Sequence, residues 1–286
     1  MIDFVTYLLL PLGLAAIMYG LGLSLNLVDF QRLMRFPRAL FVGLLGQLIG
    51  LPLIAFLLAR AADLPPELAV SLIVIAACPG GVTSNALVFI GRADVALSIT
   101  MTAVSSLITI FSTPFFVMLA LHTFFVDTDM PPLDLVGATG KLFVFTALPI
   151  AAGLATRLFL PSLAMRLIVW VRPASFGILL TIITFSVLMN WTLVTENLVS
   201  MAPIAFFMNV AAMALGLWLA KRFVLPARQQ ATIAVELGVQ NATMATFVAV
   251  AVLHRIELAA APTIYGIIMV INALVILRFA RRYWTS

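Results

Sequence analysis

An all-α membrane protein that crosses the bilayer many times is the fold class this sequence predicts, and three observations carry it. Hydrophobic residues make up 64% of the 286 and charged residues only 9%, against the ~25% charged of soluble domains. The mean hydropathy is +1.19. The apolar residues fall in segments of about 20, the length a helix needs to cross hydrocarbon, and the basic residues gather in alternate gaps. In such a chain the net charge of +5 reports topology. A lipid bilayer is the expected surrounding, with no nucleic acid and no obligatory protein partner.

Nine segments follow in order, each of roughly membrane-spanning length. The first, about 4–25, begins after Met1-Ile2-Asp3, which lacks a basic n-region, so a span is expected there rather than a cleaved signal peptide. Asp29-Phe30-Gln31-Arg32 closes it, and the second, about 37–58, runs to Asp63-Leu64-Pro65-Pro66-Glu67. The third, about 68–90, ends at Gly91-Arg92-Ala93-Asp94, and the fourth, about 95–121, at the acidic stretch from Asp127 to Asp134. Arg166 and Arg172 separate the fifth, about 142–160, from the sixth, about 173–193. Glu196 precedes the seventh, about 201–219, and Lys221-Arg222 to Arg228 divides it from the eighth, about 231–253. His254, Arg255 and Glu257 lead into the ninth, about 259–279. No gap has linker composition, so residues 1–286 read as one membrane-embedded domain.

Charge tests the count. With nine spans, thirteen of the sixteen Lys and Arg fall on one side, and only Arg60, Lys141 and Arg255 on the other. The positive-inside rule then puts the N-terminus outside and the C-terminus in the cytoplasm. Adding or dropping one span scrambles the alternation.

Glu236 stands apart from this pattern. It is the one acid inside a long apolar segment, opening Glu236-Leu237-Gly238-Val239-Gln240-Asn241-Ala242. A carboxylate at bilayer depth costs at least ~2.5–3.5 kcal/mol, so it needs a neutralising partner. Every Lys and Arg falls near a span end, which leaves a proton or a bound cation. The third segment carries a matching oddity, Cys78-Pro79-Gly80-Gly81-Val82-Thr83-Ser84-Asn85-Ala86. Both share a Gly-Val-polar-Asn-Ala core, with one extra residue in the former. Proline removes a backbone donor and glycine tolerates open conformations, which predicts a broken helix. Broken backbone at membrane depth survives only where protein buries it or it lines a polar cavity. Paired interruptions in corresponding positions of two halves point to a secondary transporter's binding site. The odd segments are third of four and fourth of five, the arrangement of a five-plus-five inverted repeat missing its first span.

Several residues also have simpler readings. Gln47 after Gly46 suits interhelical hydrogen bonding, and Ser98 and Thr102, four apart on one helix face, suit bonding back to their own helix. The thirteen Met and 21 Phe suit packing and lipid contact. A lone Cys78 excludes an intramolecular disulfide and suits a small buried hydrophobe.

Together, Cys78-Pro79-Gly80-Gly81-Val82-Thr83-Ser84-Asn85, Ser98-Ile99-Thr100-Met101-Thr102 and Glu236-Leu237-Gly238-Val239-Gln240-Asn241 resemble the bile acid:sodium symporter family, in order and over essentially the whole chain. The resemblance implies a core domain (about 37–121 and 201–279) with two crossing broken helices, and a panel domain (about 4–25 and 142–193) beside it. It implies two co-transported sodium ions. The first would be held by Ser84, Asn85, Ser98, Thr102 and Glu236; the second by Glu236, main-chain oxygens of Leu237 and Val239, Gln240 and Gln47. Hard oxygen donors without thiolate or imidazole suit an alkali cation. Asn241, with Thr83 and Asn272, would face an organic anion such as a bile acid, pantoate or another small carboxylate. Val82 stands where relatives can carry a hydroxyl, which removes one possible hydrogen bond.

The expected function is therefore sodium-coupled import of an organic anion by alternating access across a bacterial inner membrane. A cation/proton antiporter of related broken-helix architecture is the alternative, and it would want a titrating Asp pair. An arsenite-type carrier has only Cys78 in its favour. An intramembrane enzyme needs a nucleophile with a base or a histidine cluster, whereas His122 and His254 lie at span ends.

Overall fold

A computed structural model of the chain describes residues 8–25, 37–125, 133–189 and 191–284. The first seven residues, the stretch with Arg32 and Arg35, and the stretch with Asp127 and Asp129 lie outside the described residues. All described elements are helical. They are α1 (Leu10–Ser24), α2 (Pro37–Ala61), α3 (Pro66–Ala77), α4 (Val82–Ile90), α5 (Val95–Phe124) and α6 (Leu135–Phe159). After them come α7 (Pro161–Met189), α8 (Trp191–Arg222), α9 (Ala227–Gly238), α10 (Ala242–Val252) and α11 (Ala260–Trp284).

Among the described residues, five helices are long and apolar enough to cross a membrane: α2, α5, α6, the Thr195–Arg222 part of α8, and Ile256–Arg278, which takes in most of α11. For two of the four sequence segments that fall short the difference has a physical source. The third and eighth segments are each two short helices, α3/α4 and α9/α10, and neither half reaches across hydrocarbon alone. Large apolar side chains such as Phe41, Leu57, Phe111 and Trp218 are exposed, as a bilayer allows and water does not.

Local chemistry shapes the helices. Asp94 caps α5, its Oδ1 accepting from Leu97 N at 3.1 Å, and Asp134 caps α6 by accepting from Val136 N at 3.0 Å. In α2 a wide π-helical turn, Gly46–Gly50, precedes Pro52; in α6 another, Phe143–Ala147, precedes Pro149. A proline lacks its N–H and presses on the carbonyl four residues back, and one extra residue in that turn relieves both effects. The turn in α2 is what carries Gln47.

Small residues bring helices together without side chains between them. A Cβ on Gly22 of α1 would overlap the Ile150 carbonyl oxygen of α6, and one on Gly153 would overlap the Tyr19 carbonyl oxygen of α1. Gly216 of α8 lies against α9 in the same way, 2.9 Å from its imagined Cβ to Ile233 O. Beyond these seams, α1 also packs on α7, α3 on α5, and α8 on α11.

Candidate ion site and cavity

The two interrupted helices meet at their breaks. Gly80 and Gln240 form an isolated antiparallel β-bridge. Asn241 N donates to Pro79 O at 2.9 Å and Gly81 N donates to Val239 O at 3.3 Å. Each break thus satisfies backbone groups of the other, as interior backbone must be satisfied. None of the described glycines has a positive φ, so Gly80 and Gly81 serve close approach rather than an unusual backbone angle. A Cβ on Gly80 would stand 2.5 Å from Glu236 Oε2, 3.3 Å from Gln47 Nε2 and 3.5 Å from Thr102 Oγ1. On Gly81 it would stand 3.2 Å from Gln240 O.

Glu236 is fully buried in the last turn of α9. Ser84 Oγ donates to its Oε1 at 2.6 Å, Ser98 Oγ also donates to Oε1, and Thr102 Oγ1 donates to Oε2 at 3.1 Å. The same hydroxyls have other acceptors. Ser84 Oγ is 2.6 Å from Gly81 O, Ser98 Oγ is 2.7 Å from Asn85 Oδ1, and Thr102 Oγ1 is 3.4 Å from Asn85 Oδ1. Three hydroxyl protons therefore face the two carboxylate oxygens, the Asn85 amide oxygen and the Gly81 carbonyl. This cluster is rich in oxygen and poor in protons, an arrangement that wants a positive charge, either a proton or a hard cation. Among the described residues the one ion pair, Arg255–Glu257 at 3.4 Å, is on the surface. Among the described residues no base pairs with Glu236.

Gln47 and Gln240 lie beside this cluster. Gln47 Nε2 donates to Gln240 Oε1 at 3.4 Å, and Gln240 Nε2 donates to the carbonyls of Leu237 at 2.7 Å and Glu236 at 3.2 Å. Gln47 Oε1 is buried without a hydrogen-bond partner. An orphaned amide oxygen, a carboxylate and two helix-end carbonyls suit an alkali cation better than a transition metal. Among the described residues no three His, Cys, Asp or Glu side chains gather as metal ligands.

A cavity of about 330 Å³ adjoins the crossing, small within the usual range of ligand sites. Its polar wall includes Thr83, Asn85, Asn241 and Thr243; its apolar wall includes Ile17, Leu21, Phe89 and Ile99. Asn241 Oδ1 accepts from Met244 N at 3.0 Å and so caps α10, while Asn241 Nδ2 and Thr243 Oγ1 are buried without partners. Gly81, at the corresponding position before α4, offers no side-chain cap.

Of the residues singled out from sequence, Ser84, Asn85, Ser98, Thr102 and Glu236 form one cluster. Gln47, Gln240 and Leu237 stand next to it, while Val239 O is taken by Gly81 N. Thr83 and Asn241 line the cavity. Asn272 does not. Its Nδ2 donates to Asn209 Oδ1 at 2.9 Å, and Asn209 in turn donates to Gly238 O at the end of α9. Sequence reasoning missed Asn209 and Tyr265, whose side chains both donate to Gly238 O. Only their polarity within otherwise apolar helices α8 and α11 could have flagged them.

A helical membrane protein with broken helices crossed over a buried oxygen cluster is the class that this fold and site define. The Sodium Bile acid symporter family matches residues 11–197, and the chain belongs to that family. It is 30% identical over 262 residues to the uncharacterized sodium-dependent transporter YocS of Bacillus subtilis, covering 90% of this chain and 77% of that one. It is 32% identical over 238 residues to the probable chloroplastic sodium/metabolite cotransporter BASS2 of rice, covering 82% of this chain and 55% of the relative. Sodium/bile acid cotransporter 4 of the rat is 30% identical over 82% of this chain and 54% of its own length. The chain thus spans little more than half the length of the rice and rat relatives.

Proposed function

We propose that this protein is a sodium-coupled symporter that imports a small organic anion. The observation that carries the reading is the proton-poor oxygen cluster around Glu236, buried where no base can pair with it. The relatives' names, sodium-dependent transporter and sodium/metabolite cotransporter, point the same way. Two sodium ions would be the cargo. One would lie among Ser84, Asn85, Ser98, Thr102 and Glu236, and the other among Glu236, Gln240, Gln47 and the carbonyls of Leu237 and Val239. The second needs the crossing to yield, since Gly81 N and the Gln240 amide already occupy those carbonyls.

The anion's carboxylate would sit at the polar wall of the cavity, near Asn241 and Thr83. The starts of α4 and α10 add partial positive charge and unpaired N–H groups there. Sodium stabilises the crossing that presents these groups, so it raises affinity for the anion, and linkage requires the reverse by the same factor. The nine-span reading, with residue 286 in the cytoplasm, turns the cavity toward the inside, because its lining runs from the crossing to Phe89 and Val95 beside the α4–α5 turn. Alternating access would then be a rocking of the core helices (α2–α5 and α8–α11) against the panel formed by α1, α6 and α7. Absence of an Asp pair keeps the antiporter reading second.

The test is a thermal-shift screen of small carboxylates in sodium against potassium, with uptake into proteoliposomes. Sodium-specific stabilisation, enhanced by one class of carboxylate and lost in Glu236→Ala, is the expected result. Sodium-stimulated uptake that persists in Glu236→Ala refutes the assignment, and a reporter after Ser286 found outside the cell refutes the topology.

A further inference from the structure

The break in α9 leaves helix-end carbonyls that no continuing helix satisfies, and each has a donor. The last helical bond is Val239 N to Val235 O, and beyond it the Gln240 amide covers Glu236 O and Leu237 O. Gly238 O is treated differently. It receives Asn209 Nδ2 of α8 at 2.6 Å and the Tyr265 hydroxyl of α11 at 2.8 Å. Asn209 Nδ2 is also 3.0 Å from the Tyr265 oxygen, and Asn272 Nδ2 donates to Asn209 Oδ1 at 2.9 Å. Asn209 and Tyr265 are both fully buried. Because Asn272 Nδ2 donates to its Oδ1, the Asn209 amide has a single orientation, and reversing it would turn a donor toward a donor.

One donor is enough to satisfy a buried carbonyl. Two donors converging from different helices, with a third side chain fixing one of them, also fix the plane of the peptide. That peptide lies between Leu237 and Val239, whose carbonyls belong to the second proposed ion site. Gly238 also presses on α8, where a Cβ would meet the Cγ of Met213 at 2.5 Å. Asn209 and Met213 are four apart and so share one face of α8.

We infer that Asn209 and Tyr265, supported by Asn272, are positioning residues for sodium: by holding Gly238 O from α8 and α11 they keep the flanking carbonyls of Leu237 and Val239 in place for the ion once Gly81 N and the Gln240 amide release them. The inference rests on the sodium reading above. None of the three touches the proposed ion, and none lines the cavity.

The experiment measures the thermal midpoint of the purified full-length protein as sodium replaces potassium at constant ionic strength. Tyr265→Phe keeps the ring and removes one donor. It should raise the sodium concentration for half-maximal stabilisation by roughly threefold to tenfold, the scale of one net hydrogen bond. Asn209→Ala should raise it further and Asn272→Ala less. Melting that falls equally in sodium and potassium, with half-saturation unchanged, would mean a merely structural bracket and overturn the inference. If the two buried variants do not fold, Asn272→Ala decides alone, since its side chain is partly exposed; an unchanged half-saturation there also overturns it. Glu236→Gln, run in parallel, separates the two failures. If sodium does not stabilise the unaltered protein, the sodium reading falls and the inference with it. If sodium stabilises the unaltered protein but not Glu236→Gln, while the three variants match the unaltered protein, only the positioning role falls.

Discussion

The broken helices α3/α4 and α9/α10 reach one geometry by different chemistry. Each follows a long helix through a turn with a left-handed residue, Asp63 (φ 46) before α3 and Val224 (φ 55) before α9. In both turns a backbone N–H three residues past the helix closes a wide loop: Leu64 N to Ala59 O at 3.1 Å and Leu225 N to Ala220 O at 3.0 Å. Proline begins or precedes the next helix in each. At the breaks the likeness ends. The first break is made of backbone, with Pro79, Gly80 and Gly81 supplying space and a carbonyl. In the second, the Gln240, Asn209 and Tyr265 side chains hold the helix end, and Asn241 caps the new start. The difference teaches a division of labour. One strand of the crossing is kept bare so that the other can bring a carboxylate against it.

The largest effect should come from filling the bare strand. Gly80→Ala puts a methyl within 2.5 Å of Glu236 Oε2, with an overpacking cost of about 1–3 kcal/mol. Sodium-dependent stabilisation should disappear, whereas Gly81→Ala, whose nearest contact is 3.2 Å, should lose stability but keep some sodium response. Thermal melts in the two cations compare them directly.

Asn241→Ala should come next, because it strips the side-chain strand of its cap, worth ~1 kcal/mol. The carboxylate concentration for half-maximal uptake should rise while the sodium response of the melting curve largely persists. Loss of the sodium response with unchanged substrate affinity would move Asn241 into the ion site.

Ser84→Ala deletes one hydroxyl from the four-acceptor cluster and should weaken sodium stabilisation by roughly tenfold. Pro79→Ala should do least, under about 1 kcal/mol. The Pro79 carbonyl that accepts from Asn241 survives, and the helix is already interrupted by the crossing. A severe Pro79→Ala phenotype would show that ring rigidity, not pairing between breaks, makes the first interruption.

Much of this was legible in the sequence, for reasons that differ by residue. Glu236 announced itself because an acid in an apolar segment has few explanations, and the Pro79-Gly80-Gly81 break because those residue types have one backbone meaning each. Their meeting was readable only through the repeated Gly-Val-polar-Asn-Ala core. Asn272 shows where such reading stops. Its polarity was visible, but its partner lies 63 residues away on α8, and nothing local tells a cavity wall from a bracket. The role of Gly80 was half visible: an unusual backbone angle is a local property, whereas absence of space depends on Glu236 arriving from another helix. The π-turn that carries Gln47 had a local cause in Pro52 that composition alone did not reveal.

The glycine seam between α1 and α6 bears on how the molecule can deform. Where Gly22 and Gly153 meet main chain, nothing compressible separates the helices, and sliding by a single residue would drive a carbonyl through a Cα. Thioethers occupy other joints: Met101 fills the space over Gly43, and Met213 that over Gly238. A thioether changes rotamer at little cost. The seam therefore acts as a weld and the methionine joints as bearings, so α1 and α6 should move as one piece.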